Sequence, residues 1–479
     1  MRLKEIRAIP REIKCLGMSS LELLFTGRKT VSTANQEGQN LQRVLRTRDL
    51  VIFGLIFISP NSAQSLFGEL TFSSGGHGVL AVFIGLIAMI FTAASYGKMA
   101  SIVPKAGSTY SYVTHSLNPS LGFIAGWAIL LDYLIFPMMI YKLSSAFAME
   151  LFPFIPLWFM LLILIIPMTF FNYRGAKLTA HLNTIMLIVK LISVFLFVGF
   201  AVYALTIDGG IGSLVNINGI YRGETFSTSA LIAGASIAVL AYIGFDGITA
   251  LAEDAKVSGK TVGRAAMITC VISSLLIGVQ VYLASIVQSR LGVLKHTDTA
   301  FYDIAIAVGG SGLAAVTTMI LVVTGTATAL AGQASGSRVL FSMGRDGVLP
   351  ASFAYLHSKY KTPVYSVFLL AVLGYIGALM IPISVFFLIV VFGAIIGFIF
   401  VNISVIIEFF IKRKERKGKH FIANLISPVL GISVCLYILL GMEIVGQVVG
   451  VCWLLIGGIV LAIKTQGFQK EISSLNIEQ

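Results

Sequence analysis

Apolar residues in this chain fall into long runs separated by short charged or Gly/Pro-rich breaks. There are twelve such runs: 49–72, 78–101, 119–149, 155–174, 181–206, 228–253, 263–288, 311–336, 363–381, 384–411, 424–441 and 444–464. A helix needs roughly 20 apolar residues to cross about 30 Å of hydrocarbon, so the pattern predicts twelve membrane-spanning helices. Two of the runs are interrupted near mid-depth. The first, GLIFISPNS at 54–62, contains Pro60, and the sixth, LAYIGFDGITALAED at 240–254, contains Gly244, Asp246 and Gly247. In lipid, irregular backbone is tolerated only where it is buried in protein or lines a watery cavity, so both breaks are candidates for a binding site.

Composition agrees with this reading: 57% of residues are hydrophobic, 11% are charged, and the mean hydropathy is +0.92. The net charge of +13 would suit a nucleic-acid binder, but the basic residues follow loop parity. Of 34 Lys and Arg, 29 lie on the side of the tail 1–48, and only Arg222, Arg290 and Lys295 lie on the other side. Lys142 and Lys190 fall inside spans. This bias predicts both termini in the cytoplasm and a multi-pass protein of the inner or plasma membrane, with lipid rather than nucleic acid around it. Residues 1–48 lack the apolar core of a secretory signal and are expected to remain attached as a cytoplasmic tail, with 465–479 as a second tail.

Enzymatic chemistry finds no support. The four cysteines are widely spaced, the six histidines lie toward span ends, and neither a paired-histidine zinc motif nor a nucleophile elbow occurs, so no cofactor or metal is expected. A channel would be expected to show filter loops or charged rings, whereas here single charges sit at broken helices. Spans 1–5 (49–206) can be laid over spans 6–10 (228–411) with opposite orientation, each half opening on a broken span. That is the inverted-repeat logic of secondary transporters, with 424–464 left as two accessory spans.

Several stretches carry a family resemblance. AASYGKMASIVPKAGSTYSYV (93–113) and AYIGFDGITALAED (241–254) resemble signatures of the amino acid, polyamine and organocation (APC) transporter superfamily. LGFIAGWAILLDYLIFPMM (121–139), ALAGQASGSRVLFSMGRDGVLP (329–350) and FGAIIGFIFVNISVI (392–406) are similar to its putrescine-importer branch. The likeness covers about 46–464. It implies an all-α, leucine-transporter-type 5+5 inverted repeat with broken helices 1 and 6 plus two accessory helices, and uptake by alternating access.

The first break departs from the amino-acid-transporting members, whose Gly-Ser-Gly-like break offers N–H groups to a substrate carboxylate. The matching positions here are Ile58, Ser59 and Pro60; proline cannot donate and isoleucine obstructs close backbone approach. A substrate without a carboxylate, such as a diamine, fits that loss, although Asn61 and Ser62 could still donate to an amino acid. Pro60 should also leave the carbonyls of Ile56 and Phe57 without regular partners.

Buried charge adds three candidates. Lys190 stands about nine residues, or roughly 13 Å, into span 5. The resemblance implies that it replaces a coupling sodium ion; it either exchanges the coupling proton, with Thr324, Thr326 or Thr328 as partners, or is a permanent structural tie. Asp246 is either a substrate counter-charge or a cap on the second half-helix, with Leu240, Tyr242 and Phe245 beside it and the rings as a cation-π wall. Asp132, followed by Tyr133, is either a second counter-charge or, as the favoured reading, a structural ion pair or buried hydrogen bond. The expected partners are thus a small organic cation or an amino acid, and protons. Nothing in the sequence signals an oligomeric state.

Overall fold

The computed structural model describes residue 41, residues 43–291 and residues 300–466. Nearly all of the predicted tails 1–48 and 465–479 lies outside these. Fifteen α-helical segments, with short 3-10 turns between some of them, carry the fold of the described residues, and the only strand-like pairing among those residues is a single parallel bridge between Leu45 and Ala255. The first predicted span is α1 (Thr47–Ile58) and α2 (Ala63–Ser73), bent by 47° at the break. Ser59 ends α1 in the left-handed conformation at φ 62°, its N–H donating to Leu55 O at 3.0 Å, and Pro60 prevents any continuation.

Then come α3 (Gly78–Ile102), the short α4 (Thr109–Ser116), α5 (Pro119–Leu151), α6 (Leu157–Arg174) and α7 (Ala176–Gly209). The second half opens with α8 (Thr228–Leu240) and the six-residue α9 (Phe245–Ala250). Gly244 links them at φ 126°, a conformation closed to most side chains. The remainder is α10 (Gly259–Leu291), α11 (Ala300–Arg345), α12 (Val364–Met380), α13 (Ile383–Val405), α14 (Lys419–Gly441) and α15 (Ile444–Lys464).

By length and composition ten of these segments can cross a membrane, α8 and α9 counting as one; the bent α1–α2 pair and the 17-residue α12 occupy the other two predicted positions. The chain is therefore an all-α polytopic membrane protein. The eighth span is longer than predicted, because α11 begins eleven residues before 311 and kinks at Gly310 (φ 70°) inside the GGSG sequence. The polar glycines read as a boundary, but the chain only bends there.

Helix contacts repeat when the first five spans are exchanged for the second five. α1 packs on α10 as α8 packs on α3, α1 on α7 as α8 on α13, α5 on α13 as α11 on α7, and α5 on α6 as α11 on α12. Helices α3 and α10, which are counterparts, pack on each other, and a Cβ on Gly263 would fall 2.3 Å from the Cα of Gly97. Lipid offers no hydrophobic drive between helices, so such small-residue approach and internal hydrogen bonds hold the bundle together. Trp127 on α5 and Trp453 on α15 stack at 4.8 Å, each indole donating to the other's carbonyl at 2.9 and 2.7 Å.

Candidate substrate site at two helix breaks

The carbonyl of Ile56, released by the end of α1, accepts from Lys190 Nζ at 2.9 Å and from Thr328 Oγ1 at 3.1 Å. The Lys190 ammonium also donates to Ser59 Oγ at 2.7 Å and Thr328 Oγ1 at 2.6 Å. Its three protons thus have three acceptors, two on the first break and one on α11, in a fully buried position. No carboxylate pairs with it among the described residues. Of the three threonines considered, Thr328 is the one Lys190 touches; Thr324 accepts from Asn61 Nδ2 at 3.4 Å, and Thr326 turns back to Val323 O.

Most other polar groups of this break are engaged, but Ser62 Oγ is buried without a hydrogen-bond partner among the described residues. Ser59 Oγ donates to Asn61 Oδ1 at 2.9 Å, and the Ser62 N–H donates to Ser59 O. Pro60 O accepts from Gln280 Nε2 at 2.8 Å. Ile58 and Ser62 line an adjacent cavity, described below.

At the second break Asp246 accepts from the N–H of Gly244 at 3.2 Å through Oδ1 and from the hydroxyl of Tyr133 at 2.6 Å through Oδ2. It therefore braces the break and joins it to α5. Tyr242 turns away from this point, donating to Val82 O on α3 at 2.9 Å, with its ring lying against Gly85. Phe245 packs its ring on Tyr96 and Phe398 at 5.4 and 5.2 Å. Leu240 closes α8 beside the cavity.

Asp132 differs from the favoured sequence reading. It is 1% exposed, and neither carboxylate oxygen has a hydrogen-bond or ion-pair partner among the described residues. The cations of the bundle are spent elsewhere, Lys190 on the first break and Arg338 on Asp254. The next residue on α5, Tyr133, is the one that bonds Asp246.

A cavity of about 50 Å³ opens on the side of the breaks away from the basic face. Phe57, Ile58, Phe136, Met139, Leu143, Leu240 and Phe387 give it apolar walls, with Ser59, Ser62, Ser144 and Thr328 as its polar points. On the basic side a smaller hollow, bounded by Phe53, Asn183, Ala334 and Arg338, shares Leu45, Asp49 and Ala180 with a wide vestibule of about 740 Å³.

Residues 68–463 match the family described as amino acid permease. The chain belongs to that family, within the APC superfamily. This permease is 31% identical over 442 residues to the low-affinity putrescine importer PlaP of Escherichia coli (strain K12), covering 92% of this chain and 97% of the relative. It is 27% identical over 465 residues to the branched-chain amino acid permease BcaP of Lactococcus lactis, covering 88% and 94%. It is 24% identical over 454 residues to the methylthioribose transporter of Bacillus subtilis, covering 89% and 94%. The permease is a transporter, not an enzyme, and these relatives carry putrescine, branched-chain amino acids or methylthioribose.

Two polar networks of the permease escaped the sequence reading. Ser193 on α7 donates to Gln64 on α2, Gln64 donates to Gln280 on α10, and Gln280 holds the Pro60 carbonyl, so the first break is anchored from three helices. On the basic side Val44 and Leu45 N–H donate to Asp254 O, and Lys256 N–H donates to Leu45 O, tying the approach to α1 to the exit from α9. Asp254 pairs with Arg338 at 3.0 Å and Glu253 with Arg345 at 3.0 Å, fixing that exit to α11. A buried glutamine inside an apolar run was the one available signal for the first network.

Proposed function

We propose that the permease imports a small organic cation of the polyamine class by proton-coupled alternating access. Asp132 carries the reading: a carboxylate in the membrane interior with no partner is costly unless a cation completes it. Asp246, which already accepts two hydrogen bonds, one of them from Tyr133 next to Asp132, supplies a second negative group for the same ligand. The first break complements this assignment. Pro60 lacks an N–H, and the side chains of Ser59 and Asn61 are engaged by Lys190, Thr324 and each other; the Ser62 hydroxyl is left as a single unpaired donor, less than the set of N–H groups that cradles a carboxylate.

Lys190 is the proposed coupling residue. A neutral amine keeps two donors and gains a lone pair, so loss of the proton invites the Ser59 or Thr328 hydroxyl to turn and donate to it. If Ser59 turns, Asn61 is released from its side chain and the break loosens. Residues 49–206 and 228–411 are the two repeats that rock about this centre, 424–464 are accessory, and the basic face is cytoplasmic in a cell membrane.

A second reading, an amino acid with an apolar side chain, draws on the cavity's apolar walls and on the likeness to BcaP. Purified protein in proteoliposomes with an imposed pH gradient separates the two. Putrescine, agmatine and cadaverine should show saturable, gradient-stimulated uptake; uptake of neutral amino acids with none of the diamines would overturn the cation reading.

A further inference from the structure

The outer cavity and the two carboxylates are not continuous. Phe57 and Phe136 line the cavity, whereas Asp132 and Asp246 do not. On α5 the cavity wall descends through Phe147, Leu143, Ile140 and Phe136, and Asp132 lies one helical turn beyond Phe136 on the same face. Phe57 sets its ring edge-on against Phe136 at 5.2 Å between centroids and is only 1% exposed.

The ring rests in a trough made by three glycines. A Cβ on Gly244 would stand 2.7 Å from the ring, one on Gly247 2.4 Å, and one on Gly332 3.5 Å. Gly244 and Gly247 flank Asp246, so the ring covers the stretch of backbone that carries this carboxylate. On its basic side the ring of Phe53, at 6.0 Å, borders the inner hollow. Phe57 thus stands at the neck between the two cavities, in the last turn of a helix that ends one residue later. The outer cavity's 50 Å³ is room for about one or two waters, too little for a diamine.

We infer that Phe57 is the residue that closes the outer cavity off from Asp132 and Asp246, and that substrate reaches the carboxylates only by displacing its ring. Ring size at this position therefore sets which cations pass. The inference rests on the cation reading for what is carried, but the closure itself is a matter of access.

The test measures access directly. In a background with the native cysteines replaced, Asp132→Cys is exposed on whole cells to an impermeant cationic thiol reagent, with Phe57, Phe57→Leu or Phe57→Ala alongside. With Phe57 closed in the prevailing conformer, labelling should rise from Phe through Leu to Ala by about tenfold or more. Phe57→Leu keeps most of the packing, so a folding failure of the alanine variant leaves the comparison intact. Equal rates would overturn the closure. A second arm measures inhibition of putrescine uptake by N-alkylated diamines, which Phe57→Leu should strengthen by about tenfold. Graded labelling with no diamine recognition would keep the closure and discard the cation reading. Unchanged discrimination among diamines that are transported would overturn the size filter.

Discussion

Replacing Lys190 with alanine should leave a folded carrier that no longer responds to a pH gradient. The ammonium makes three hydrogen bonds, to Ile56 O, Ser59 Oγ and Thr328 Oγ1. Its acceptors are not abandoned when it goes, because Ile56 O keeps the Thr328 hydroxyl and Ser59 keeps Asn61. The loss is then nearer one charged hydrogen bond, about 1.5–3 kcal/mol, than three. Against it stands the relief of no longer holding a lysine at mid-membrane, about 2.5–3.5 kcal/mol. The two terms nearly cancel, so thermal stability in detergent should change little. Coupling should not survive. One proton per cycle across a one-unit pH step is worth about 1.4 kcal/mol, an accumulation of about tenfold. In proteoliposomes without a membrane potential the wild type should reach that ratio and Lys190→Ala should stay near one, while counterflow at equal pH persists. A variant that still accumulates substrate about tenfold would refute the proton role and leave Lys190 a structural tie.

Asp246→Asn preserves an acceptor for Gly244 N–H but removes the charge, and should weaken diamine binding by about tenfold with little change in protein yield, as read by competition in proteoliposomes. Arg338→Gln leaves Asp254 buried and unpaired and should cost about 3–5 kcal/mol, whereas Arg338→Met with Asp254→Leu should recover most of it; thermal unfolding in detergent reports both. Gly263→Val forces a side chain into the backbone of Gly97 and should destabilise by about 1–3 kcal/mol in the same assay.

Much of this architecture was legible because membranes leave few choices. Apolar run length marked the spans, and the breaks were marked by Pro60 beside the polar Asn61 and Ser62 and by Gly244 beside Asp246; proline alone is no marker, since Pro137 and Pro167 lie inside α5 and α6. Lys190 and its contact with Thr328 were foreseeable because a mid-membrane ammonium must find oxygen, and the Ile56 carbonyl was one that Pro60 had freed. What stayed hidden depended on where side chains turn. Tyr242 and Asp246 are four residues apart, yet the break between them rotates the tyrosine toward Val82 and α3. The partners of Gln64 and Gln280 lie on other helices, and no local pattern announces them. The seat of Phe57 is assembled from Gly244 and Gly247 at the second break and Gly332 on α11; the first two were visible as a break, but nothing in the sequence pairs them with Gly332 or with Phe57. α4, eight residues long and mostly polar, gave no apolar run to find.

The main-chain ladder between Val44–Leu45 and Asp254–Lys256 has a mechanical consequence. It yokes the inner arms of both interrupted helices, so neither can swing away without the other or without unzipping three amide contacts. Because amides make these contacts, substitution of neighbouring side chains leaves the yoke intact, and only a residue that cannot donate, such as proline at Leu45 or Lys256, would cut one strand of it.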